Sequence, residues 1–152
     1  MIRRFQFEAE IYESLSCVPM QARRKLDALG LKIGLAQWQR LGRGERLMIC
    51  HAPAETQEER DALRVFVEET TMARAGSPPK ELSEQARGEA SPPSSPPSIL
   101  VANARQFGVE LDQEKWNRLD EDQRYALVKL GAKERPSHNL PSALREFFPA
   151  QG

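Results

Sequence analysis

The sequence predicts an all-α protein made of two similar helical units, and three observations carry that expectation. "GLKIGLAQWQRLGRGER", from Gly30 to Arg46, returns without a gap as "GVELDQEKWNRLDEDQR", from Gly108 to Arg124. The shift is constant, because Gly108 follows Gly30 by the same interval as Trp116 follows Trp38 and Arg124 follows Arg46. Apolar residues in both copies recur near helical spacing. Proline, glycine and N-capping residues punctuate the two copies at matching places. Gly30/Gly108, Trp38/Trp116, Arg40/Arg118, Leu41/Leu119 and Arg46/Arg124 are identical, and Pro19 and Pro97 fall in register upstream. A solenoid needs at least about three stacked units to bury a continuous core. The expectation is therefore an internal duplication folded on itself around one shared core.

The opening "FQFEAEIYESL" carries two patterns. Phe5, Phe7, Ala9 and Ile11 alternate as in a strand, whereas Phe7, Ile11 and Leu15 share one helix face. A short extended arm is the reading adopted, with Glu8, Glu10 and Glu13 as a solvated flank. A first helix is expected over residues 19 to 29, where proline presets φ at the start and Gly30 stops the last turn. "LKI" is too short for a useful strand and reads as a crossover with Leu31 and Ile33 pointing inward. Asp112 caps a short helix carrying Trp116, and Asp120 with Gln123 forms a capping box for the next one. Gly34, and Gly42 with Glu45, are weaker echoes in the first copy.

Each unit then adds a closing helix. Thr56 with Glu59 starts the first, lined by Leu63, Phe66, Val67 and Thr70. "NLPSALREFF" is the second, with Leu140, Leu144, Phe147 and Phe148 on its apolar face. Between the units, Gly76 to Pro97 holds six of the chain's eleven prolines and almost nothing apolar. Such composition reads as a flexible linker. The expected layout is an N-terminal arm and first unit over 1–75, a Pro/Ser-rich linker over 76–96 and a second unit over 97–152, forming one compact domain.

Composition excludes several classes. Acidic and basic residues balance at 22 each among 152 residues, so no global field draws the chain to nucleic acid or to a membrane surface. No run approaches the roughly 20 apolar residues of a membrane span. Two cysteines and the absence of an apolar leader at the N-terminus predict a reduced, cytoplasmic setting. Trp38 and Trp116, beside leucines at helical spacing, read as core anchors. Cys17, Cys50, His51 and His138 lack the close Cys-x-x-Cys or His-x-x-x-His pair of a structural zinc site, so no metal is expected. No phosphate loop, nucleophile elbow or paired-carboxylate motif occurs, and neither a cofactor nor catalysis is expected.

The copies differ in charge. From Pro19 to Cys50 seven basic residues face two acidic ones, a net of +5, whereas Pro97 to Leu130 carries a net of −1. Arg23, Arg24 and Lys25 form the densest basic cluster. Together with Cys17 and Met20, where the chain enters the first helix, they are the expected partner-binding residues.

"FEAE", "SLSCVPMQARRKLDALGLKIGLAQW" and "RPSHNLPSALREF" resemble the nitrate reductase-associated protein family, and the similarity covers nearly the whole chain outside the linker. Its most specific part is Cys17-Val18-Pro19-Met20, followed by Arg23, Lys25, Leu26, Asp27 and Gly30. The resemblance implies a small accessory protein that supports production of active assimilatory nitrate reductase without itself turning over nitrate. It implies nitrate reductase, a molybdenum and iron–sulfur enzyme, as partner, and supplies no catalytic residues. Two other classes compete. Short helices joined at glycine with a basic first helix suggest a helix-turn-helix nucleic-acid binder, and Cys17 suggests a thiol-dependent enzyme.

Overall fold

A computed structural model describes residues 2–149. Contacts divide the chain into two compact units, the first ending at Ala90 and the second starting at Ser91.

In the first unit the arm is helical, which corrects the extended reading. A 3-10 turn at Gln6–Glu8 leads into α1 (Ala9–Ser14). Phe5, ahead of the 3-10 turn, and Leu15, after α1, are both buried. Leu15 ends α1 in the left-handed region at φ 52°, a conformation that costs an L-residue about 1–2 kcal/mol. What holds it there is its carbonyl oxygen, which accepts from Trp38 Nε1 at 2.8 Å and from Arg46 Nη1 at 2.9 Å. A buried indole N–H without a partner would cost roughly 1–3 kcal/mol, so the turn and the tryptophan support each other.

Pro19 caps α2 (Met20–Leu29), and Gly30 closes it at φ +82°. The residues after Gly30 do form a strand. β1 (Leu31–Lys32) pairs antiparallel with β2 (Lys80–Glu81), placing Leu31 opposite Glu81. Leu31 and Ile33 are buried as expected. α3 (Leu35–Arg40) and α4 (Arg43–His51) follow. Their glycine caps have no side chain to offer, so only half of each box exists: Gly34 N–H donates to Gln37 Oε1 at 2.9 Å, and Gly42 N–H to Glu45 Oε1 at 2.7 Å. α5 (Gln57–Ala75) starts at a complete Thr56/Glu59 box. The interior gathers Leu26, Leu29, Trp38, Ile49, Leu63 and Val67.

The segment expected as a linker carries secondary structure. Residues to Ala90 belong to the first unit, which they extend with β2 and with α6 (Glu84–Gly88), capped by Ser83. Leu82 N–H donates to the Gly30 carbonyl at 2.8 Å, Gln37 Nε2 to Ser77 Oγ and the Pro78 carbonyl, and Arg24 Nε to the Ala90 carbonyl at 2.8 Å. Backbone and long polar side chains fasten this stretch, and composition does not register that kind of attachment.

The second unit contains α7 (Ser98–Gln106), α8 (Gln113–Arg118), α9 (Glu121–Gly131) and α10 (Leu140–Phe147). α7, α9 and α10 pack on one another. α7, α8 and α9 begin at Ser98, Gln113 and Glu121, the positions that the repeat pairs with the starts of α2, α3 and α4 at Met20, Leu35 and Arg43. Gly108 repeats the φ of +82°. Trp116, fully buried like Trp38, donates Nε1 to the carbonyl of Pro93 at 3.0 Å. Pro93 is the repeat counterpart of Leu15. Arg46 and Arg124 also correspond: each guanidinium donates to carbonyls at the end of the preceding tryptophan helix, Leu41 in one unit, Trp116 and Asn117 in the other.

Replacing Gly30 by Ala should destabilise the first unit by about 1–2 kcal/mol, since φ is left-handed and a Cβ would lie 3.0 Å from Arg87 Cδ and Nε. Gly44→Ala, inside α4 with nothing within 4 Å of the added carbon, should be neutral or stabilising by up to ~1 kcal/mol. Urea unfolding of both variants checks the contrast.

Candidate functional site

The fold separates the five residues expected to meet a partner. Lys25 Nζ donates to the carbonyls of Ile49 at 3.0 Å, Cys50 at 2.9 Å and Ala52 at 2.6 Å. It thereby closes the C-terminus of α4, where unpaired carbonyls concentrate negative partial charge. Asn103, the repeat counterpart of Lys25, donates Nδ2 to the carbonyls of Gly131 at 2.8 Å and Lys133 at 2.9 Å at the end of α9. A cation and an amide thus perform one structural task, and Lys25 is committed to the interior of its unit. Arg24 holds Ala90. Met20 is buried. Only Cys17 and Arg23 of the five are exposed.

Sequence reading missed Glu8. It is 3 % exposed, not part of a solvated flank, and its Oε2 accepts the Met20 N–H at 2.8 Å. Pro19 has no side chain able to cap α2, so a carboxylate from the preceding arm does so, complementing the positive end of the helix. Capping rules look only a few residues upstream of a helix, and no local pattern pairs Glu8 with Met20.

Around this junction, burial sets the ionisation. It pushes the Cys50 thiol up to about 11, with Lys25 and Arg4 acting in the opposite direction. It also raises the Tyr12 phenol, with Glu8 adding to the effect, and Tyr12 donates to the Arg3 carbonyl at 2.9 Å. Burial, then Arg4 and Lys25, lower His51. Cys50 is therefore a protonated core residue at neutral pH, whereas Cys17 is solvent-exposed. Among the described residues no three His, Cys, Asp or Glu side chains come together as a metal site. No helix among them is long and apolar enough to cross a membrane.

A surface groove of about 470 Å³ lies where the arm meets α4. Ala9, Tyr12 and Leu47 give it apolar lining, and Arg4 and Arg43 outnumber Glu13 on its polar part. Arg4 lies 5.0 Å from the centre of the Tyr12 ring. Leu47 and its neighbour Met48 are both exposed. Apolar surface beside two guanidiniums suits an apolar segment that carries carboxylates.

Two measurements separate structural from surface roles. Lys25→Met should cost about 2 kcal/mol in urea unfolding, as charge-assisted bonds to carbonyls are lost, whereas Arg23→Glu should change stability by less than about 0.5 kcal/mol. An aromatic disulfide reagent at neutral pH should titrate Cys17 in the native protein and Cys50 only after denaturation. Rapid native reaction of Cys50 would show that the core around it opens.

No curated protein and no solved structure matches the chain. The family model described as conserved nitrate reductase-associated protein matches residues 4–147. That span reaches from the arm through the end of α10, and the chain belongs to the conserved nitrate reductase-associated protein family.

Proposed function

We propose that this protein is a non-catalytic accessory protein that binds assimilatory nitrate reductase and supports its maturation or activity. The observation that carries this reading is the family match over residues 4–147. The first unit forms the contact: it holds the +5 copy, and it displays the groove between the arm and α4. The occupant is a segment of the reductase that combines apolar and acidic side chains, chosen for complementarity to Leu47, Tyr12, Arg4 and Arg43. Cys17 and Arg23 supply a smaller exposed surface at the entrance to α2. One form of that support is binding to apo-reductase during insertion of the molybdenum cofactor or iron–sulfur cluster. Two free thiols suit a reduced, cytoplasmic setting. The two units are read as products of an internal duplication, supported by helices that begin at paired positions of the repeat and by matched tryptophan partners.

Surface binding kinetics with apo and mature nitrate reductase test the proposal, with duplex DNA as control. Arg43→Glu should slow association about tenfold at low salt and flatten the salt dependence, since a rim charge acts on encounter. Leu47→Ala should instead speed dissociation about tenfold. If Arg23→Glu weakens binding and neither groove variant does, the contact lies at the start of α2. Absence of any binding to either form of the reductase would overturn the reading, and salt-sensitive DNA binding in its place would favour the nucleic-acid alternative.

A further inference from the structure

The geometry points to a binding site for a small tetrahedral oxyanion, a phosphate or phosphoryl group, in the pocket between α2, α5 and α6 of the first unit. This pocket is separate from the groove and shares no lining residue with it. Its volume is about 140 Å³. That is far more than one water needs, yet below the roughly 300–1,000 Å³ of a site for a drug-sized ligand. A group of phosphate size fits.

Three arginines line it, Arg60, Arg64 and Arg87, against one acidic residue, Asp61. Two of the three are fixed in place by carbonyls and side chains. Arg60 Nη1 donates to the carbonyls of Ala54 and Glu55, and its Nη2 to Gln57 Oε1 at 3.2 Å. Arg64 Nη1 donates to the Leu29 carbonyl at 2.6 Å, while Glu68 and Glu81 compensate its charge. Asp61 is itself occupied, accepting from Gln57 Nε2 at 2.7 Å.

Arg87 differs. Among the described residues its guanidinium has no hydrogen-bond partner and no carboxylate within ion-pair distance. It is nevertheless positioned, because its side chain lies across Gly30, where an added Cβ would meet Cδ and Nε at 3.0 Å. Arg87, with five N–H donors, thus borders a small concavity already lined by two further arginines. An oxyanion accepts forked, charge-assisted bonds of the kind guanidinium gives, and each is about twice as strong as a neutral one. The anion's charge is met chiefly by Arg87 and Arg60, since Arg64 is already neutralised. α6 thereby has a task beyond closing the chain path: it carries to the pocket the uncommitted cation of the three.

Isothermal titration of the full chain with inorganic phosphate, at ionic strength held constant with sodium chloride, tests the site. The expected result is saturable one-to-one binding that Arg87→Gln weakens at least tenfold and Arg23→Gln leaves unchanged. Since the Arg87 guanidinium makes no hydrogen bond to the described residues, its variant should keep the native circular dichroism and melting temperature. Gly30→Ala, which displaces the Arg87 side chain, should weaken phosphate binding as well in protein confirmed to be folded. O-phosphoserine as a second ligand distinguishes the sources: tighter binding than inorganic phosphate assigns the site to a phosphorylated partner, and equal binding to the free anion. Absence of saturable binding, or equal loss on Arg23→Gln and Arg87→Gln, would overturn the proposal. The reading of nitrate reductase as partner does not depend on this outcome, nor this outcome on it.

Discussion

The structure of each unit depends on an indole N–H that must be satisfied away from water. Trp38 and Trp116 are completely buried, and each donates to a carbonyl well upstream in the chain, that of Leu15 or of Pro93. A tryptophan contributes a large apolar area to an interior only when its one polar atom finds a partner. The chain preceding α2 in the first unit and α7 in the second must therefore turn back across its own unit and present a carbonyl. In the first unit this fixes the left-handed Leu15 at the end of α1. In the second it requires the backbone at Pro93 to be held, although the surrounding composition is that of a loop. The matching of the two units thus extends upstream of the prolines at 19 and 97, to the carbonyl that receives the indole.

A second constraint follows from short helices. α4 and α9 run only from Arg43 to His51 and from Glu121 to Gly131, so their unpaired terminal carbonyls form a large share of their backbone. Both are closed from the side by a residue of the helix that opens their unit's repeat, Lys25 on α2 and Asn103 on α7. Lys25 meets three carbonyls where Asn103 meets two, so part of the positive charge of the first copy is there to complete a helix end. A cation engaged in this way keeps its charge but has its donors occupied, so a count along the sequence overstates the groups free to meet a partner. Arg24, Arg46 and Arg64 are also engaged with carbonyls, and the densest basic cluster of the sequence is not the most exposed one.

Local chemistry was legible in the sequence, and long-range fastening was not. The helices of both units, their glycine stops, the Thr56 and Asp120 boxes and the buried tryptophans all follow from periodicity and capping rules that act within a few residues. The arm was misread because two periodicities coexist in it, and the deciding interactions, Trp38 and Arg46 with Leu15, come from two later helices. The strand and helix within 76–96 went unseen because their attachments are backbone pairs and polar side chains from α2, α3 and α5, which leave no hydrophobic trace. Of the expected contact residues, Cys17 and Arg23 are exposed as anticipated. Met20 is buried and Lys25 is engaged by the end of α4, a partner too distant in sequence for local rules to reveal.

What remains at the surface of the first unit is consequently a set of arginines left over after the helix ends and strand connections have been completed. Arg43 stands at the first turn of α4, where a cation is slightly unfavourable next to the positive helix end. Arg87 stands on a short helix that contributes nothing to the buried interior. Neither placement is explained by stability, because an exposed cation that makes no ion pair adds little or costs a few tenths of a kcal/mol. Each instead borders a concavity, Arg43 beside exposed Leu47 and Arg87 beside Arg60 and Arg64. The first is broad and partly apolar, suited to a polypeptide; the second is narrow and predominantly cationic, suited to a single anionic group. Arg24, Lys25, Arg46, Arg60 and Arg64 of the same unit donate to backbone carbonyls, and the two concavities differ chemically from one another. The difference between them is set by which side chains, leucine and tyrosine or two further arginines, complete the walls.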